Sequence, residues 1–80
     1  MSEADKAEKR RVVISGLHKL GFEIKQGKRH DTATCPRTNK KTTIPRHKQL
    51  NKYTVGSIYD FLIESGYSAA EVRKAFKWPV

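Results

Sequence analysis

Two histidines set among cationic side chains are the residues of this sequence best suited to chemistry. His30 follows two basic residues, and His47 lies between two others. Imidazole exchanges protons near neutral pH, and cations stabilise the charge that builds up on a phosphate under attack. These residue types favour cleavage of RNA by internal transfer. In that reaction one group takes the proton of the 2′-hydroxyl and another protonates the leaving oxygen.

The predicted site gives these residues two roles. His30 is the candidate catalytic residue, and His47 is a second candidate for proton transfer. No metal ion is required in this scheme. A second interpretation uses the same surface only for phosphate contact, as a nucleic-acid-binding module without catalysis. The residues expected to bind RNA phosphates are Lys28, Arg29, Lys41, Arg46 and Lys48.

The excess of positive charge is concentrated in one third of the chain. The sequence has 17 Lys and Arg against 8 Asp and Glu, a formal net charge of +9. Residues 25–52 hold nine of the cations and one acid, Asp31, and so carry +8 of that charge. This concentration predicts an anionic partner, with nucleic acid ahead of an acidic protein or a membrane surface. All aromatic residues lie outside the segment, which favours phosphate contact over base stacking.

The length of the chain, 80 residues, predicts one domain over residues 1–80 and excludes an enzyme with a large cofactor cleft. The longest purely apolar run, residues 12–14, is far too short to span a bilayer. Cys35 is the single cysteine and has no partner for an internal disulfide. The first residues lack the apolar core of a secretory signal. We therefore expect a cytoplasmic protein that uses no cofactor.

Hydrophobic periodicity and turn residues predict an α+β fold, with helices packed on one face of a three-stranded antiparallel sheet. The first helix is expected to fray over residues 1–12, and Ser2 is its predicted cap. Ser68 and Glu71 have the spacing of a capping box, so residues 68–80 should form a short extra helix and a tail. The predicted elements are a helix over 2–20, strands over 22–26, 29–35 and 40–45, and a helix over 54–64.

The register of the second and third strands follows if residues 36–39 form their hairpin loop. Ala33 then pairs with Thr42, and His30 pairs with Pro45. Because side chains alternate between faces, small and apolar residues share the face towards the helices, with Cys35 as a buried hydrophobe. The residues expected on the open face are His30, Thr32, Thr34, Lys41 and Thr43.

His47 lies two residues beyond Pro45, the predicted partner of His30. If strand geometry continues past the proline, the two imidazoles are diagonal neighbours about 7–8 Å apart. A phosphodiester would then fit between them.

The sequence offers two weaker alternatives, a metal site and a DNA-binding helix. His30, Asp31 and His47 would have to converge to bind a metal ion, and no tight spacing of cysteines and histidines favours such a site. A helix-turn-helix DNA reader would use the last helix, which is short and close to the terminus. Its basic residues are Arg73, Lys74 and Lys77.

Three segments resemble the HicA toxins of type II toxin–antitoxin systems. They are residues 20–23 (LGFE), 27–31 (GKRHD) and 42–47 (TTIPRH), followed by Thr54 at the start of a helix. The resemblance covers about residues 13–66. It implies a double-stranded-RNA-binding-domain-like α-β-β-β-α fold and an mRNA-cleaving ribonuclease whose catalytic histidine matches His30. It also implies a HicB-like antitoxin as the protein partner. Three features depart from the usual family pattern: the Lys28–Arg29 pair, a second helix about one turn longer before Gly66, and the tail over residues 68–80.

Overall fold

Three helices and five short strands make up residues 7–78, the part of the chain that the computed structural model describes. The chain is therefore a small α+β domain, as predicted. None of these helices has the length and apolar character needed to cross a bilayer. The elements are β1 (Glu8–Lys9), α1 (Arg10–Lys19), β2 (Glu23–Gln26), β3 (His30–Thr34), β4 (Lys41–Pro45), β5 (Gln49–Leu50), α2 (Lys52–Glu64) and α3 (Ala69–Phe76).

The main sheet is antiparallel, with β3 between β2 and β4. Its register confirms the prediction, because Ala33 lies opposite Thr42 and His30 lies opposite Pro45. At the hairpin end, the Cys35 backbone N–H donates to the Lys40 carbonyl across 2.8 Å. Asn39 closes the loop in the left-handed region at φ 63°, a conformation that asparagine tolerates better than most residues.

The two faces of the sheet differ as the alternation predicts. Ala33, Cys35 and Ile44 are fully buried, whereas His30 on the other face is exposed. One residue of the buried face is charged: Asp31 lies opposite Ile44 and is 2% exposed. The burial of Asp31 was not predicted, although its place in the register requires it.

Helices α1 and α3 approach each other through a glycine. A Cβ atom on Gly16 would lie 2.0 Å from Cδ1 of Phe76. The missing side chain therefore makes room for the phenyl ring, which is 1% exposed. Val13 and Leu17 on α1, both fully buried, complete this contact with the core.

The prediction of a helix from residue 2 is wrong for residues 7–9. Helix α1 begins at Arg10, and the two residues before it form β1, which pairs with β5. Glu8 accepts a hydrogen bond at Oε2 from Nε1 of Trp78 across 3.0 Å, and this contact holds the segment extended. Tertiary pairing thus overrides a weak local preference for helix. The proposed cap at Ser2 lies outside the described residues.

The caps of the other two helices explain where they begin. Oδ1 of Asn51 accepts from the Thr54 N–H at 2.9 Å, so α2 begins two residues before the predicted start. The capping box at α3 is confirmed. The Glu71 N–H donates to Oγ of Ser68, and Oε2 of Glu71 accepts from the Ser68 N–H.

Candidate nucleic-acid interface

His30 lies at the end of a tight turn that leads into β3. The Gly27 N–H donates to the His30 carbonyl oxygen across 3.0 Å. A Cβ atom on Gly27 would lie only 2.6 Å from that oxygen, so the turn depends on a residue without a side chain. The exposed side chains of Lys28, Arg29 and His30 therefore come from one short, closed segment, which we call the His30 turn (residues 27–30).

Asp31, on the buried face of the sheet, links the elements that surround the His30 turn. Its carboxylate, 3% exposed, pairs at Oδ2 with Arg10 and accepts at Oδ1 from Nε of Arg46 across 3.0 Å. Arg10 also donates from Nε to the Pro45 carbonyl at 3.2 Å. A buried carboxylate is costly unless it is paired and hydrogen-bonded. These contacts therefore fix the start of α1 and the end of β4 against β3.

Arg46 is both a structural residue and a candidate phosphate ligand. Besides its bond to Asp31, it donates from Nη2 to the Gly27 carbonyl in the His30 turn. Its side chain is still 42% exposed. The sequence predicted contact with RNA for this residue. The structure adds that two acceptors hold Arg46, the buried Asp31 carboxylate and the Gly27 carbonyl of the His30 turn.

Arg46 also lines a basic groove. Its volume is about 580 Å³, within the range of ligand-binding clefts. Pairing of β1 with β5 places Lys9 opposite Gln49, and the Arg10 N–H donates to the Lys48 carbonyl at 2.9 Å. These contacts bring the start of α1 against the segment after β4. The groove is lined by Lys9, Arg10, Arg11, Arg46, Lys48 and Gln49.

Three lining residues of the basic groove, Lys9, Arg10 and Arg11, were not among the predicted site residues. The run of three consecutive cations was the available signal. It became informative only once β1 was known to pair with β5.

The remaining predicted residues are exposed but do not all converge. Strand pairing stops at His30 and Pro45, so the register does not extend to His47. Its role in catalysis stays a prediction. Lys41 lies opposite Thr34, at the end of β4 away from Pro45. It lies four residue steps from Pro45, a distance of roughly 13 Å along β4. It therefore lies on the same sheet but outside the groove.

Two buried groups away from the His30 turn, the Cys35 thiol and the Tyr67 hydroxyl, have shifted pKa values. Burial raises the pKa of the Cys35 thiol, but hydrogen bonds from Thr38, Arg37 and Ser65 outweigh burial and leave it below its ordinary value. Burial, and then the charge of Cys35, raise the pKa of Tyr67. The Tyr67 hydroxyl donates to the Leu20 carbonyl at 3.1 Å. Cys35 is fully buried, so this pair serves packing rather than reaction with a substrate.

Within residues 7–78, no three histidine, cysteine or acidic side chains are grouped closely enough to hold a metal ion. Comparisons of the chain with protein-family models, curated proteins and solved structures return no match. The geometry of the His30 turn and the basic groove is therefore the basis for assigning a function.

Proposed function

We propose that the chain is an endoribonuclease that cleaves mRNA without a metal ion, with His30 as its catalytic residue. The observation that carries this proposal is the His30 turn itself. An exposed imidazole follows Lys28 and Arg29 directly, and the guanidinium of Arg46 bonds to the carbonyl at the start of the turn. A proton-transfer group and two cations thus occupy consecutive positions of the turn, and a third cation is hydrogen-bonded to its first residue.

The chemistry follows from these groups. His30 takes the proton of a 2′-hydroxyl, and the freed oxygen attacks the adjacent phosphorus. The bond to the 5′-oxygen breaks, leaving a 2′,3′-cyclic phosphate on one product. The departing oxygen takes a proton from an acid, for which His47 is the candidate. Lys28, Arg29 and Arg46 stabilise the extra negative charge on the phosphate in the transition state. Proton transfer by one positioned side chain contributes roughly 10²- to 10⁴-fold to such a rate.

The resemblance to HicA toxins adds the biological setting to the proposal. The positions of the resembling segments in the fold support this part of the proposal. Residues 27–31 form the His30 turn and the start of β3, and residues 42–47 form most of β4 and the two positions after it. Thr54 lies in the first turn of α2. In this proposal the domain is double-stranded-RNA-binding-domain-like, acts in the cytoplasm, and is neutralised by a HicB-like antitoxin that covers the His30 turn.

Incubation with RNA in EDTA tests the reaction. Wild-type protein should cut the RNA and leave a 2′,3′-cyclic phosphate at the new end. An RNA with a 2′-deoxynucleotide at the cleaved position should remain intact, because the attacking hydroxyl is missing. Loss of cleavage in EDTA, or equal cleavage of the deoxy substrate, would contradict the proposal. RNA that binds but stays intact would favour the module that binds without cutting.

The toxin role has its own test in cells. Expression of the wild-type chain should arrest growth, and the His30→Ala variant should not. Co-expression of the product of an adjacent reading frame should restore growth if that product is the antitoxin. Arrest by both proteins would show that toxicity does not come from the proposed catalytic histidine.

A further inference from the structure

The basic groove extends the positive surface well beyond the residues that the reaction needs. We propose that this groove binds the phosphodiester backbone of the RNA next to the bond that is cut. The inference rests on the proposed function, since it says where the RNA that is cleaved at the His30 turn continues across the protein surface. Arg46 defines that path, because it lines the groove and also bonds to the Gly27 carbonyl in the His30 turn.

The charge of the groove suits a polyanion. Five of its six lining residues are cationic, and the sixth is an amide. Asp31 offsets part of the charge of Arg10 and Arg46 from the buried side. Lys9, Arg11 and Lys48 make no ion pair with any described residue. Their charges are available to phosphate oxygens, and neutralisation of phosphates by such cations supplies most of the affinity of sequence-independent binding.

Two of the cations are ordered before any ligand arrives. Arg10 is held by Asp31 and the Pro45 carbonyl, and Arg46 by Asp31 and the Gly27 carbonyl. A ligand that meets ordered side chains loses less conformational freedom on binding. The buried carboxylate therefore orients the rear of the groove while the two lysines and Arg11 contact the phosphates.

The lining favours nucleic acid over an acidic protein. Protein interfaces depend on buried aromatic and apolar anchors, and no such residue lines the groove. The large hydrophobic residues exposed among residues 7–78 are Tyr53 and Ile63, both on α2 and neither in the groove. Without aromatic side chains the groove cannot stack bases, so it should hold the backbone with little sequence preference.

A charge-matched pair of double variants tests the groove. Lys9→Ala/Lys48→Ala removes two cations from it, and Lys19→Ala/Lys74→Ala removes two exposed cations elsewhere. The measurement is the affinity for a 2′-O-methyl RNA oligonucleotide, which binds but cannot undergo internal transfer, over a range of salt concentrations. The groove variant should bind roughly tenfold more weakly. Its log–log salt slope should fall by about 1.4, the value for two phosphate contacts to a single strand.

The control variant should bind within about twofold of wild type, because diffuse charge away from the groove is screened. Equal weakening by both variants, or by neither, would overturn the inference. Polyglutamate that displaces the RNA at lower concentration than unlabelled RNA would also overturn it, in favour of an acidic protein partner. Unfolding midpoints near that of wild type establish that the variants are folded.

Cleavage of unmodified RNA by the same proteins separates this inference from the proposed function. If RNA binding depends on the groove but the wild-type protein does not cleave RNA, the proposed ribonuclease activity is contradicted. The assignment of the groove as an RNA-binding site then still holds. Cleavage by wild type together with unchanged binding by the groove variant would contradict only the groove.

Discussion

Arg46 donates a hydrogen bond from Nε to Oδ1 of the buried Asp31 across 3.0 Å. This contact joins the residue that follows His30 to the residue that precedes His47. It also links the His30 turn to the basic groove, because Arg46 takes part in both. The one acid within residues 25–52 therefore organises the cations around it.

Replacing Asp31 with Asn should destabilise the fold. The substitution keeps the shape of the side chain but leaves Arg10 and Arg46 without their counter-charge. Both arginines retain partial access to water, so the expected loss is about 1–3 kcal/mol rather than the larger loss seen for fully buried pairs. Urea unfolding followed by circular dichroism measures it. Glu23→Gln, which breaks the exposed Glu23–Lys25 pair, is the control and should change little. Equal midpoints for the two variants would contradict the role given to Asp31.

Gly27→Ala should impair cleavage far more than stability. The new Cβ atom would lie 2.6 Å from the His30 carbonyl oxygen, so the His30 turn must open and shift the imidazole. Displacement of a catalytic group by about 1 Å can cost up to ~10²-fold in rate. The measurement is kcat/KM for RNA beside the unfolding midpoint. Gln26→Ala, at the preceding exposed position, should retain wild-type kcat/KM. A fully active Gly27→Ala protein would show that the geometry of this turn does not matter.

Trp78→Phe should loosen β1. Phenylalanine can keep the ring contact with Phe76, now 5.0 Å between centroids, but cannot donate to Glu8. The expected loss of stability is about 1–2 kcal/mol. Amide hydrogen exchange in the β1–β5 pair should quicken before exchange in β3 does. Tyr53→Phe, on an exposed ring, is the control. Unchanged exchange in β1 would mean that the tryptophan does not hold this strand.

Glu71 should make the free energy of unfolding depend on pH in the acidic range. The Ser68 N–H is the largest influence on the pKa of this carboxyl and lowers it. Desolvation, second in size, opposes this effect, but the charge of Arg37 and the Ser68 hydroxyl lower the pKa further, so that it lies below its ordinary value of 4.5. A folded-state pKa that is lowered stabilises the fold above the unfolded-state value, and this stability is lost as the pH falls through the folded-state value. The gap in unfolding free energy between wild type and Glu71→Gln should therefore be largest near neutral pH and shrink below pH 4.5.

The control for this pH series is Glu64→Gln. The Glu64 side chain is exposed on the last turn of α2 and makes no hydrogen bond or ion pair with any described residue. Its replacement should leave the gap to wild type small across the series. A gap for Glu71→Gln that does not vary with pH would contradict the contribution of the charged carboxylate.

The hairpin register could be predicted because strand alternation constrains it tightly. A shift by one residue would have buried His30 and exposed Ala33, so the loop at 36–39 and the pattern of small side chains agree on one register. The capping box at Ser68 was equally local. Both features depend on neighbours within a few residues, which a sequence pattern displays directly.

The N-terminal strand and the basic groove could not be predicted in this way. Glu8 meets Trp78 across 70 positions of sequence, and Lys9 meets Gln49 across 40. No local pattern reports such contacts, and residues 2–9 carry helix-forming types. The burial of Asp31 was implied by the register, but its two arginine partners come from α1 and from the loop after β4.

Parallel binding and cleavage assays on His30→Ala test the central claim most directly. Wild type and variant are compared with one RNA, in EDTA, for affinity and for the rate of chain cleavage. The imidazole is exposed and outside the Asp31 contacts, so the variant should fold and bind within about threefold of wild type. Its cleavage rate should fall by at least ~10²-fold. Cleavage by His30→Ala at the wild-type rate would contradict the claim that this chain cuts RNA through His30.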